Sequence, residues 1–209
     1  QQNFPTELRD SETADLFMVE ILYRLKQNGR VGIVLPDGFL FGTDNTKIAI
    51  KKKLMEECNL HTIIRLPGSI FAPYTPIATN LLFFDKTGST KETWFYRMDL
   101  PQGYKAFSKT RPVELKHFSD VISWWNDRKE IKDDKNDESL TDTWKSKRLL
   151  INELKGFNYD LDQCGFPVKE EIILSPQETM KKFIEKRESL EKELDEKLKA
   201  IMSLIGDFK

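Results

Sequence analysis

The sequence predicts an open α/β fold with a mixed sheet, followed by an irregular connector and a long terminal helix. Three observations carry this. Short apolar strands alternate with amphipathic helical segments through the first hundred residues. Two strands, "LHTIIRLP" and "NLLFFDK", follow one another with no helix between them, so they should pair antiparallel. The last thirty-odd residues form one capped amphipathic segment with near-heptad apolar spacing.

The elements follow in order. After a polar opening, "SETADLFMVEILYRLKQNGR" has helical spacing, with Ser11 as N-cap, Phe17, Met18, Ile21, Leu22 and Leu25 as its apolar face, and Asn28-Gly29 as its stop. "RVGIVLP" is a short apolar strand of the kind buried in a parallel sheet, closed by Pro36 and Asp37-Gly38. A helix is expected from near Asp44 to about Glu57. Its inward residues are Ile48, Ile50, Leu54 and Met55, with Lys47, Lys51, Lys52 and Lys53 mostly outward. The two helix-free strands come next, and "TWFYRM" is expected at a sheet edge. Residues 1–104 are thus expected to form the α/β domain, 105–174 an irregular connector and 175–209 the long helix. Ser175, Pro176 and Glu178 form a capping-box pattern at the start of that helix. Met180, Phe183, Leu190, Leu194, Leu198, Ile201 and Leu204 lie along its apolar stripe.

Composition narrows the chemistry. The chain has 209 residues and a formal net charge of −1, so nucleic-acid contact requires local basic patches rather than a global field. Cys58 and Cys164 are widely separated and lack ligand spacing, and the two histidines have no companion ligands. Reduced thiols, no metal and a cytoplasmic location are the expectation. No apolar run reaches about 18 residues, so no membrane span is expected.

Two motifs stand out. "LPDGFLF" lies past the carboxyl end of a strand, where open α/β sheets bind ligands. Taken alone it also reads as a tight turn with phenylalanines lidding the core. "FAPYTPIATN" sets Phe71 and Tyr74 beside a strand entrance, with Thr75, Thr79 and Asn80 as polar edges. It reads either as a proline-stiffened loop or as a stacking wall for an extruded base. Lys51, Lys52 and Lys53 are either a solvated helix face or a phosphate patch.

Together these segments closely resemble one family. "ADLFMVEILYRLKQNGRVGIVLPDGFLFG", "IKKKLMEECNLHTIIRLPGSIFAPYTPIATNLLFFDK" and "TWFYRMDLPQGY" match, in order and spacing, the modification subunit of type I restriction–modification systems. That resemblance implies the C-terminal part of a class I S-adenosylmethionine-dependent methyltransferase fold acting on adenine N6. It implies that Val31–Pro36 is the strand after the catalytic strand and Leu81–Asp85 the reversed strand. Pro36, Asp37, Gly38 and Phe39 would line the pocket side. Phe71 would stack on the target adenine, beside Tyr74, Thr75, Thr79 and Asn80. The family's glycine-rich cofactor loop and its Asn-Pro-Pro-Phe motif are not in these residues. The expectation is therefore a C-terminal portion, inactive alone, with no S-adenosylmethionine bound to it by itself. The implied partners are the specificity subunit, the restriction subunit, the N-terminal half of the same subunit and double-stranded DNA. Phe183, Leu190, Leu194, Leu198 and Ile201 are the expected contact with the specificity subunit; a helix packing on its own domain or on itself is the alternative. A non-catalytic assembly module, or part of a related fused restriction–modification or phage-defence methylase, remain alternative readings.

Overall fold

The computed structural model describes residues 4–9, 12–133, 143–167 and 175–206, with side chains at 203–206 excepted. The chain divides into two compact units, Gln1–Val168 and Lys169–Lys209. The expected cap Ser11, the centre of the charged stretch at 134–142 and the side chain of Leu204 lie outside the described residues.

The first unit is built on one six-stranded sheet. Its strands are β1 (Arg30–Pro36), β2 (Asn59–Arg65), β3 (Thr79–Asp85), β4 (Glu92–Arg97), β5 (Ile131–Lys132) and β6 (Trp144–Leu150), in the order β1-β3-β2-β4-β6-β5. β3 runs antiparallel to both β1 and β2, while β2 and β4 are parallel. The helix-free link thus produces a reversed strand, as its shortness requires. Three expectations are corrected. β1, expected as a strand buried in a parallel sheet, lies at the end of the sheet, pairs antiparallel with β3 and buries only Leu35. β4 is not an edge strand: β6 pairs with it antiparallel. The stretch expected to be irregular supplies β5, β6, α4 (Ser119–Asn126) and α5 (Ile151–Gly156). β6 was hard to foresee because "WKSKRLL" buries only Ser146 and Leu149, among two lysines and an arginine.

Period-two alternation splits the strands between two apolar clusters. Ile63, Leu82, Phe84 and Phe95 join Met18, Leu22, Ile50 and Leu54 on one face. Ile64 and Tyr96 join Leu66, Ile70, Met98, Phe107, Val121 and Trp124 on the other. Each large side chain so buried contributes about 1.5–3 kcal/mol.

On the first face lie α1 (Thr13–Arg24) and α3 (Asn45–Glu57). α1 buries Met18, Val19 and Leu22 but leaves Phe17 exposed, so its inner face is rotated from the expected stripe. Helix α1 ends at Arg24, and the left-handed residue Asn28 (φ 62°) turns the chain into β1. Asp44 caps α3 by accepting from Lys47 N at 2.9 Å. The Lys47 ammonium reaches Asp15 at 2.9 Å, so it faces inward rather than outward.

The second unit is α6 (Pro176–Gly206). Its capping box is formed: Glu178 Oε2 accepts from Ser175 N at 3.0 Å and Ser175 Oγ at 2.8 Å. Among the described residues, no helix is long and apolar enough to cross a membrane, and no cluster of His, Cys, Asp or Glu could hold a metal ion.

Candidate functional site at the strand ends

The ends of three strands converge. Pro36 of β1 and Arg65 of β2 flank Thr79 and Asn80 at the start of β3. Asp37 N donates to Ala78 O and Leu66 N to Thr79 O, both at 3.0 Å, extending the pairing beyond the strands. This is the carboxyl end of β1 and β2, where an α/β sheet exposes its ligand-binding edge.

Asp37 does not close a simple turn. It begins α2 (Asp37–Phe41), a five-residue helix. Its Oδ1 accepts from Asn80 Nδ2 at 2.6 Å, and its Oδ2 accepts from Arg65 Nη2 at 2.7 Å. Arg65 Nη1 donates to Asp162. Burial pulls Arg65 down, yet the hydrogen bonds and charges of Asp37 and Asp162 outweigh it and hold the guanidinium above its usual range. Asn80 is fully buried, and its Oδ1 has no hydrogen-bond partner; nor has the buried Thr79 hydroxyl. Arg65, Asn80 and Asp162 border a hollow of about 10 Å³ that Leu40, Tyr96 and Cys164 help to line. That is room for roughly one water.

Above these groups runs the loop from Pro67 to Ala78. It is a series of tight turns: Ile70 N donates to Pro67 O, Ala72 N to Ser69 O and Tyr74 N to Phe71 O. Ile70 anchors it in the second cluster. Thr75 Oγ1 accepts from Ile77 N at 3.1 Å, so its hydroxyl stabilises the loop. Phe71 is 40% exposed, Ile77 57% and Tyr74 91%.

The structure therefore brings Asp37, Thr79 and Asn80 together, beneath a loop that presents Phe71 and Tyr74. Phe39 is different: it is wholly inside the first cluster and cannot line a pocket. Gly38 faces open space.

The lysine run is also corrected. Lys51 is fully buried, its Nζ donating to Leu40 O at 3.0 Å and Gly42 O at 2.8 Å. Burial pulls its pKa down to about 8, against the opposing charges of Asp160, Asp44 and Asp15. It holds the carbonyl end of α2, so it cannot contact phosphate. Lys52 and Lys53 are exposed and pair with Glu56 and Glu57.

Arg65 and Asp162 are site residues that sequence reasoning missed, and Lys51, expected on a solvated or phosphate-binding face, is instead buried against the end of α2. Arg65 carried a usable signal, a charge at the end of an otherwise apolar strand, which needs a partner once buried. Asp162 carried none, since it lies among turn residues far along the chain.

Comparison with known proteins gives this geometry a family. A family model described as N-6 DNA methylase matches residues 2–171. Over 183 residues the chain is 43% identical to the methylase subunit of the type I restriction enzyme EcoEI of Escherichia coli, covering 88% of this chain and 36% of that protein. The modification subunit of a putative type I restriction enzyme from Vibrio vulnificus YJ016 is similar with a TM-score of 0.63 and 37% identity, over 73% of this chain and 30% of that one. A chain from a structural study of complex assembly and conformational transition in a type I R-M system is similar with a TM-score of 0.67 and 31% identity, over 100% of this chain and 42% of that one. The chain thus spans about a third of the length of its curated relative. With most of its residues matched, and with the reversed strand and strand-end site in the matched part, the chain belongs to the N-6 DNA methylase family.

Proposed function

We propose that this chain is the C-terminal portion of a type I modification subunit, and that it supplies the target-base wall for methylation of adenine N6 in double-stranded DNA. One observation carries the reading. The uncharged loop Pro67–Ala78, whose two ends meet the Asp37–Arg65–Asn80 network at Leu66–Thr79 and Asp37–Ala78, carries a half-exposed Phe71. An extruded base needs a flat apolar surface to stack on, and the loop's turns and its Ile70 anchor hold that ring in place. The network beneath fixes the ends of all three strands, so the wall is mounted on the rigid part of the sheet. Thr79 and Asn80 steady the loop's return into β3, and Tyr74 extends the apolar surface outward. Pro36, Asp37 and Gly38 form the opposite lip.

S-adenosylmethionine supplies the methyl group in this chemistry. The strand-end residues do not fit it: the Asp37 carboxylate is committed to Arg65 and Asn80, and the hollow is about 10 Å³. Cofactor binding belongs, in this reading, to the rest of the subunit, and this chain alone binds none and transfers no methyl group. Strand β1 supports such a division, because it is apolar, lies at the end of the sheet and leaves Val34 exposed. An open apolar edge of this kind calls for a neighbouring strand or cover.

The partners follow the same reading. The specificity subunit packs on the α6 stripe of Phe183, Leu190, Leu194, Leu198 and Ile201, and the restriction subunit joins the assembled complex in the cytoplasm. The decisive experiment is Phe71→Ala in the full-length subunit assembled with its specificity subunit, scored by methyl incorporation into DNA. A marked loss of rate with DNA binding retained is expected; an unchanged rate overturns the stacking role.

A further inference from the structure

We infer that the tight turn Ser108–Arg111, together with Lys105, is a binding point for DNA phosphates beside the target-base loop, an assignment that rests on the function proposed above. Between Asp99 and Glu114 the sequence carries Lys105, Lys109 and Arg111 and no carboxylate. From Leu66 to Phe84 it carries no charged residue at all. The structure places these two stretches against each other: Phe107 N donates to Ser69 Oγ at 2.9 Å. Ser69 is two residues from Phe71, and Phe107 is two residues from both Lys105 and Lys109. At 3.8 Å per residue, each separation is at most about 8 Å of chain.

The turn is built. Ser108 N donates to Arg111 O at 3.0 Å and Arg111 N to Ser108 O at 3.1 Å, which leaves Lys109 and Thr110 exposed at the tip. Its base is anchored by Phe107, buried at 2% exposure and packed against Tyr104 and His117 with ring centroids 5.8 and 5.3 Å away. The Arg111 guanidinium lies 5.8 Å from the centre of the Tyr104 ring.

These cations share one further property, their lack of carboxylate partners. Lys52 and Lys53 are matched to glutamates one helical turn away. Among the described residues, Lys105, Lys109 and Arg111 form no salt bridge, whereas nearby Lys116 is paired with Glu114 at 2.9 Å. Three exposed, unneutralised cations on a braced turn suit a polyanion. A nucleotide whose base is extruded toward Phe71 keeps its phosphates in the backbone close by, and each phosphate neutralised releases condensed counterions.

The test uses the full-length subunit carrying Lys109→Gln and Arg111→Gln together. Affinity for a fluorescently labelled mixed-sequence duplex is measured by anisotropy across a salt series. The slope of log affinity against log salt should become shallower by about 2, with weaker binding to every sequence tried. Arg111→Lys should keep the wild-type slope, and so should Lys52→Gln with Lys53→Gln. These positions are exposed, so matched thermal melts establish that the variants are folded. An unchanged slope and affinity in the Lys109/Arg111 variant overturns the inference. If Phe71→Ala still slows methylation in that case, the target-wall reading stands and this site alone is withdrawn.

Discussion

Arg65 and Asp37 form an ion pair at 2.7 Å that ties the end of β2 to the start of α2 across the intervening strand β3. Both side chains are largely shielded, 15% and 20% exposed. The second half of the guanidinium holds Asp162, so one residue joins three segments that are distant in sequence.

Removing Arg65 leaves two carboxylates facing each other without their shared cation. Arg65→Met should destabilise the first unit by about 2–3 kcal/mol, the range for breaking a shielded pair while keeping its partner. Arg65→Lys should recover part of the loss, because an ammonium lacks the planar fork that engages both carboxylates. All four tryptophans lie between Trp94 and Trp144, so fluorescence during urea unfolding reports this unit. A midpoint unchanged in Arg65→Met would remove the pair from any structural role.

Lys51 predicts a pH signature. Its folded-state pKa is lowered from 10.5 to about 8, so between those values the unfolded chain binds more protons than the folded one. Stability attributable to Lys51 therefore rises with pH across that window, and the full penalty of the buried charge is present below it. The groups facing it are Asp160, Asp44, Asp15 and Lys47. Buried thiols, and Lys47 with its raised pKa, titrate elsewhere or in the opposite sense, so the informative quantity is a difference between proteins. Wild type minus Lys51→Met should gain about 3 kcal/mol between pH 8 and 10.5. Parallel stability curves would show that Lys51 is not desolvated as described.

Lys51 also shows where the sequence was legible and where it was not. The periodicity of "NTKIAIKKKLMEE" identifies the helix, and the strands on either side follow from their apolar runs. A run of three lysines carries no information about which ammonium turns inward. That depends on the carbonyls of Leu40 and Gly42, supplied by a helix shorter than any periodicity can reveal. The same limit applies at the site. Phe71, Tyr74 and Asn80 are visible as an odd strand entrance, but the partner that positions Asn80 is Asp37, forty-three residues away. Long-range pairing of that kind leaves no local pattern. Strand β6 was missed for a different reason: only Ser146 and Leu149 are buried, on opposite faces and among charged residues, so no period-two pattern shows.

The two thiols should be chemically silent in the native state. Cys58 is fully buried and Cys164 nearly so. Burial raises the pKa of Cys58 and pushes that of Cys164 up to about 12. The thiolate is the reactive species, so both burial and pKa suppress attack. At pH 8 neither should react with Ellman's reagent until denaturant is added, whereupon both should titrate. Prompt reaction of either in the native protein would contradict its placement.

The capped helix α6 leads to a prediction about assembly. Its stripe residues Phe183, Leu190, Leu194, Leu198 and Ile201 are all about half exposed or more within their unit. Arg187 and Lys197 interrupt the heptad spacing of the stripe, and each pairs with a glutamate one turn away, Glu191 and Glu193. A single helix cannot bury its own stripe, and paired heptad-like stripes bury theirs by knobs-into-holes packing. An aspartate at a central stripe position must be desolvated on docking without a partner cation. Leu190→Asp combined with Leu194→Asp should therefore abolish capture of the specificity subunit in a pull-down while leaving the urea unfolding of the first unit unchanged. Glu191→Gln, at a polar position, should bind as wild type. Undiminished capture by the double aspartate variant would place the specificity-subunit contact elsewhere. Loss of self-association in the same variant, with capture intact, would assign the stripe to a second copy of this chain.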